Sequence, residues 1–214
     1  IGFSSGGLDT ASMLTFLEDE DGFVVKWYDQ SGNGDDAVQA TTASQPKIVS
    51  SGVVIVENGK PAVEFDGGAD YFSAAVTFQN AVTVLLVFNQ NSSSYILDAQ
   101  SPNRLAIGNV TNSVDFQAYV STAISSTSSA FNQQNLGFVL ADTTNSLTAL
   151  NGGTAGTGNS GAAANSSSIY IGSRIGGSSG HMAGTFQEVI YYNSDQSSNR
   201  AAIESNINDF YTIY

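Results

Sequence analysis

The sequence predicts an all-β fold of two packed antiparallel sheets, and three observations carry that prediction. Short apolar or alternating runs recur along most of the chain, Gly- and Asn-rich turn signals separate them, and helical spacing is confined to the two ends. At 214 residues the chain is long enough for one large sandwich, and no composition break divides it, so a single domain over residues 1–214 is expected. A hydrophobic content of 41%, with 12 Phe and 9 Tyr, supplies the side chains for a sizeable core.

Residues 8–17 place Leu8, Met13, Leu14 and Leu17 near helical spacing, with Asp9 and Thr10 as capping candidates, so a short N-terminal helical turn is expected. An acidic run, 18–21, ends it. Residues 23–28 are aromatic and β-branched and read as a strand that enters a tight polar turn at 29–36. Residues 36–40 read as the return strand, and 45–49 as an edge segment that tolerates Pro46. Residues 53–57 then meet Asn58-Gly59, a type I′ hairpin signal, with 62–65 as the partner strand.

Residues 81–88 are almost wholly apolar, which predicts a central strand covered on both faces. Further strands are expected at 95–99, 104–107, 114–120, 136–141, 147–150, 169–172 and 184–192. The Ser/Thr/Gly-rich pieces 121–129 and 152–168 read as exposed loops. Near the end Ile203, Ile207 and Phe210 fall at i, i+4 and i+7 behind capping candidates at 194–197, giving one C-terminal helix with an apolar stripe.

Composition narrows the function classes. With 19 acidic against 6 basic residues the net charge is -13, a field that repels phosphate backbones and anionic lipid and so disfavours nucleic acid and membrane surfaces as partners. Zero cysteines exclude disulfides, thiolate metal sites and cysteine nucleophiles, and one histidine, His181, excludes a multi-histidine centre. No apolar run is long enough to span a bilayer, and residues 1–20 lack a signal-peptide pattern. The abrupt start at Ile1-Gly2-Phe3 suggests a domain cut from a longer polypeptide.

The segments Trp27-Tyr28-Asp29-Gln30-Ser31-Gly32-Asn33-Gly34, Gln45-Pro46-Lys47-Ile48-Val49 and Asn58-Gly59-Lys60-Pro61-Ala62-Val63-Glu64-Phe65-Asp66-Gly67 resemble the concanavalin A-like, laminin-G-like domains of phage tail and bacterial surface proteins. Phe186 to Asn193 followed by the helix is similar to the ending of that family, so the resemblance covers most of the chain. It implies a jelly-roll sandwich and recognition of carbohydrate or protein at a virion surface or outside the cell. The Tyr-Asp-Gln-Ser-Gly turn also resembles one in the catalytic sandwich of B-type fungal α-L-arabinofuranosidases. Those enzymes carry cysteines, and where their catalytic glutamate is expected, around 136–149, this chain has Asp142 and no Glu.

Asp29, Ser31, Asn33 and Gly34 stand at positions 1, 3, 5 and 6 of an EF-hand-like loop, a spacing that turns alternate oxygens inward, and Asp35 is a further oxygen donor. Calcium is the candidate cofactor on that ground. Position 12 is Ala40 rather than glutamate, and Asp and Asn also stabilise turns through their own backbone without an ion.

For glycoside hydrolysis Glu57, Glu64, Asp66, Asp98, Asp115, Asp142 and Glu188 are candidates, and Glu64 and Asp66 share a strand face, yet no paired-glutamate signature is present. A Gly-x-Ser-x-Gly elbow and phosphate-binding glycine motifs are absent too. Tyr71, Phe72, Tyr95 and Tyr119 lie near loops and, with His181 in a Gly/Ser loop, are the candidate ligand contacts, while Trp27 reads as core. The expectation is a non-catalytic module that requires no cofactor and binds a glycan or a structural surface protein. The alternatives are an architectural virion domain that self-associates as a homo-oligomer, and an arabinofuranosidase-like hydrolase.

Overall fold

The computed structural model describes residues 3–4, 7–78, 81–99, 104–109, 115–128, 131–161 and 166–214. Two antiparallel sheets face each other, as the turn-separated short runs predict. The back sheet has nine strands, in the order Gly156–Gly158, Ser146–Leu150, Gln134–Ala141, Val82–Gln90, Ala183–Tyr192, Val63–Asp66, Lys47–Ser50 and Gly22–Phe23, with Val53–Val54 paired to Lys47–Ser50. The front sheet has eight, in the order Ala123–Ser128, Asp115–Tyr119, Ala106–Gly108, Tyr95–Ala99, Ile169–Ile171, Phe72–Ala74, Ala37–Val38 and Lys26–Trp27.

Val82–Gln90 is the central strand its composition predicts. It lies between Gln134–Ala141 and Ala183–Tyr192, and it is buried on both faces because the front sheet covers one and the C-terminal helix the other. Between the sheets an unbroken line of aromatic rings runs Trp27, Phe72, Phe65, Phe186, Phe88, Phe116, with centroids 5.3–6.4 Å apart. Trp27 is half-buried at the end of that line, against the core as expected. Phe72 is fully buried in it, which removes Phe72 from the candidate ligand contacts.

Residues 23–28 form two short strands instead of one. Gly22–Phe23 belongs to the back sheet and Lys26–Trp27 to the front, and the chain changes sheet at Val24-Val25, where the Val24 amide donates to Pro46 O and Val25 O accepts from the Gln39 amide. An apolar, β-branched run suits either sheet, so composition alone cannot place the crossing. Lys47–Ser50 is likewise inside the back sheet, with Pro46 just before it and Gly22–Phe23 as the edge.

Asn58 and Gly59 adopt φ +46 and +72, the left-handed pair that a type I′ turn requires. Their hairpin joins Val56–Glu57 to Lys60–Pro61, shorter than expected, and Val63–Asp66 leaves it for the back sheet. The expected loops at 121–129 and 152–168 each contain an edge strand, Ala123–Ser128 and Gly156–Gly158. Apart from the buried Ile124 both are built of small residues without alternation, so periodicity does not reveal them. Gly156 is required there, because a Cβ would meet Ser125 O at 1.7 Å.

The N-terminal helix spans Thr10–Leu17, and the Asp9 carboxylate accepts the Ser12 amide at 3.1 Å. The C-terminal helix spans Arg200–Tyr211 and lays Ile203, Ile207 and Tyr211 over Leu85, Val87, Leu136, Phe138 and Leu140. Its stripe thus continues at i+8. Phe210 is 54% exposed and carries the Lys60 ammonium 4.1 Å from its ring centroid. The helix begins three residues beyond the capping candidates at 194–197, of which Asp195 accepts the Ser197 amide at 2.7 Å.

Candidate functional site

Directly opposed residues of antiparallel strands point to the same side of a sheet, so the register of the front sheet defines its outer face. Lys26, Val38, Ser73, Tyr170, Asp98, Ala106, Tyr119 and Ala123 stand opposite one another in sequence across all eight strands. Their strand neighbours Phe72, Leu97, Ile107, Ala118 and Ile171 face the core. The row therefore lies on the side away from the back sheet.

Three of the four expected ligand contacts converge at one place beside this row, around residues 173–182. Tyr71 packs on Gly177, Tyr95 packs on Gly180 and donates its backbone amide to Gly180 O at 3.3 Å, and His181 is part of the segment. Tyr71 and Tyr170 form a tilted pair at 6.2 Å. Tyr119 is in the row itself, two strands from Tyr95. Tyr71, Tyr95, Tyr119, Tyr170 and His181 are all partly exposed.

Sequence reasoning took Asp98 only as a candidate hydrolytic carboxylate and missed that, paired with Arg104, it holds this face together. Asp98 is fully buried, and one of its oxygens accepts Arg104 Nε at 2.6 Å while the other accepts the Ile175 amide at 3.1 Å. Burial pushes the Asp98 carboxyl up from its ordinary value, and Arg104 pulls it down. Arg104 and Arg174 both lie against the Tyr95 ring, with Cζ 5.0 and 5.7 Å from its centroid. A signal was present in the sequence, namely an aspartate inside the apolar strand Tyr95–Ala99 and a nearby arginine in a chain with six basic residues.

A cavity of about 330 Å³ opens at the far edge of the back sheet, lined in part by Phe23, Gln45, Lys47, Glu64, Asp66 and Asp70. Glu64 and Asp66 share the outward face of Val63–Asp66, as the period of two predicts. Asp70 is 8% exposed and accepts the Asp66 amide at 3.0 Å. Burial, with the Asp66 and Glu64 charges adding to it, raises the Asp70 carboxyl from 3.8 to about 6. Burial also acts to raise Asp66, but the amides of Gly68, Ala69 and Asp70 outweigh it and leave Asp66 below its ordinary value. His181 lies near enough to act on both carboxylates.

A folded value above the unfolded one means that the contribution of Asp70 to stability is complete below pH 3.8 and lost as pH rises through about 6. Asp70→Asn keeps an acceptor for the Asp66 amide and removes the buried charge. It is expected to raise stability at pH 7 by on the order of 1–3 kcal/mol and to flatten the stability profile between about pH 4 and 6. Denaturant melts of both proteins across that range check this, and parallel profiles would contradict it.

The polar turn after Trp27 is closed by its own donors. The Asp29 carboxylate accepts the Ser31 amide and hydroxyl, both at 2.8 Å, the Gly34 amide at 2.9 Å and the Asp35 amide at 3.2 Å. Led by Ser31, those bonds lower the Asp29 carboxyl to about 2, so its contribution is present above pH 3.8 and lost as pH falls through about 2. Ser31 Oγ accepts the Asn33 amide, Asp35 accepts the Tyr191 hydroxyl, and Asp36 accepts the Asp29 amide. Among the described residues no cluster of three or more acidic or histidine side chains surrounds a common point.

An ion at Asp29 would have to displace four donors. Millimolar calcium is therefore expected to leave the melting temperature unchanged, and a saturable rise would reveal a shell built from Asp29, Ser31, Asn33 and Asp35.

No family model matches the sequence, and no curated protein matches it. Among solved structures, a GH54 α-L-arabinofuranosidase soaked with a cyclic sulfate inhibitor superimposes with TM-score 0.69 at 16% identity, over 96% of this chain and 55% of that one. Trypanosoma rangeli sialidase in complex with sialic acid gives 0.59 at 17%, over 87% and 32%. Domains LG4-5 of the mouse laminin α1 chain give 0.54 at 14%, over 68% and 44%. The chain thus spans about half the length of the arabinofuranosidase and a third of the sialidase. The architecture is that of the concanavalin A-like, laminin-G-like sandwiches.

Proposed function

We propose that the chain is a carbohydrate-recognition module displayed on a virion or a bacterial exterior, with the outer face of the front sheet as its binding face. The observation that carries the reading is that the partly exposed Ser73, Tyr170 and Tyr119 lie on this face with Tyr71 and Tyr95 beside them, while Asp98 and Ala106 of the same row are buried. Tyrosine rings offer flat apolar surfaces to sugar rings and hydroxyls to their edges, and a few fixed polar groups set orientation. The likeness to the laminin domains supports a binding role. The acidic field argues against nucleic acid and anionic membrane, and the reading requires no cofactor.

A printed glycan array tests it. Wild-type protein is expected to be retained, and Tyr170→Ala to weaken retention roughly tenfold, equivalent to about 1.4 kcal/mol, with little change in melting temperature. A blank array, together with a blank pull-down against virion and cell-surface proteins, removes the reading.

Glycoside hydrolysis is a second reading, favoured by the cavity in which Asp70 keeps its proton to about pH 6 beside an ionised Asp66. Cleavage of a glycosidic bond needs one carboxylic acid to protonate the leaving oxygen and one carboxylate as base or nucleophile. Release of 4-nitrophenol from 4-nitrophenyl α-L-arabinofuranoside that disappears in Asp70→Asn would establish it. Release no faster than with heat-denatured protein ends it.

A further inference from the structure

Arg104 uses only part of its guanidinium. Nε donates to one Asp98 oxygen at 2.6 Å, but the second Asp98 oxygen is turned to the Ile175 amide, so Nη2 is left buried without a hydrogen-bond partner. A guanidinium presents its donors as a planar fork that a single carboxylate engages at two points. Here Asp98 engages one. Leaving a buried donor unpaired is unfavourable, a penalty that an incoming acceptor relieves.

A second cation stands next to it. Arg174 is exposed and, like Arg104, lies against the Tyr95 ring, so two of the six basic residues converge on one aromatic side chain in a chain of net charge -13. With Asp98 subtracting one charge, the locus carries a net +1 while the rest of the surface is acidic. Such an arrangement accepts one isolated anionic group and repels a polyanion. The turn that follows Arg174 has positive φ at Gly176, Gly177 and Gly180 and hangs on Asp98, the partner of Arg104, through the Ile175 amide.

We propose that Arg104 and Arg174 form a carboxylate subsite on the recognition face, and that the preferred ligand is a glycan carrying a single uronic acid among neutral sugars. In the bound state the ligand carboxylate accepts from Arg104 Nη2 and from Arg174. The inference depends on the carbohydrate-recognition reading, and its test separates the two.

The test is an array of matched pairs, each uronic acid glycan printed beside the counterpart with a hydroxymethyl group in place of the carboxylate, plus 6-sulfated members. Wild-type protein is expected to prefer the uronic member at least tenfold over its neutral partner and to favour it over the sulfate. Arg174→Gln, a surface change with an unaltered melting temperature, is expected to erase the preference and retain the neutral signal. Equal retention of uronic and neutral partners overturns the subsite but leaves the recognition reading standing. Preference for the sulfate overturns the assignment to carboxylate, and no retention of any member overturns both.

Discussion

Phe65→Ala is expected to lower stability by about 3–5 kcal/mol, which for a chain of this size corresponds to a fall of roughly 6–20 °C in melting temperature. Phe65 is 1% exposed and touches the aromatic line on both sides, edge-on to Phe72 at 5.8 Å and to Phe186 at 5.3 Å. Its third wall is backbone, since a Cβ on Gly172 would stand 2.4 Å from the ring. The cavity left by truncation is therefore bounded by rings fixed in edge contacts and by a strand end, and neither collapses readily. Phe16→Ala, at a position 79% exposed, is the control and should stay within about 0.5 kcal/mol of wild type. Thermal melts by circular dichroism decide it, and a shift as small as the control's would show that the rings do not couple the two sheets.

The core that makes this prediction sharp was legible in the sequence because burial imposes a pattern. Val82–Gln90 is apolar on successive residues because two different layers cover it, and Val63–Asp66 alternates because only its Val63 and Phe65 face inward. Asn58-Gly59 was legible for a different reason, since only residues tolerant of positive φ close a two-residue hairpin. What escaped carries no such pattern. Ala123–Ser128 pairs through its backbone at a sheet edge and buries a single apolar side chain, Ile124, too few to set up a pattern, and the crossing at Val24-Val25 is decided by Pro46 and Gln39, distant in sequence.

The site divides along the same line. Tyr71, Tyr95, Tyr119 and His181 could be picked out one at a time as aromatic or polar residues near loops. The convergence of Tyr71, Tyr95 and His181 could not, because it depends on strand order, which places Ile169–Ile171 between Tyr95–Ala99 and Phe72–Ala74 and carries residues 173–182 back across the face. The pairing of Asp98 with Arg104 escaped because a buried ion pair looks, in sequence, like two ordinary charges. The EF-hand-like spacing at Asp29 shows the reverse ambiguity, in which a motif defined by oxygen positions also fits a turn that satisfies its own amides.

Arg104→Gln is expected to cost about 3–5 kcal/mol, comparable to the loss of a core phenylalanine, because it strands a fully buried carboxylate whose one other hydrogen bond among the described residues is from the Ile175 amide. The sign of the pH dependence identifies the cause. Burial already holds Asp98 above its unfolded value of 3.8 with Arg104 in place, and removing the cation raises it further. A raised folded value gives a contribution that is present below the unfolded value and lost as pH rises through the folded one. The deficit of the variant should therefore be large at pH 7 and shrink as the solution is acidified and Asp98 takes up a proton. Asp98→Asn in the Arg104→Gln background removes the stranded charge and is expected to recover most of the loss at pH 7, so that the two substitutions are far from additive. Chemical denaturation of the four proteins at pH 5 and pH 7 completes the cycle. A deficit independent of pH, or additive substitutions, would mean that Arg104 acts through its packing on Tyr95 and not through the charge of Asp98.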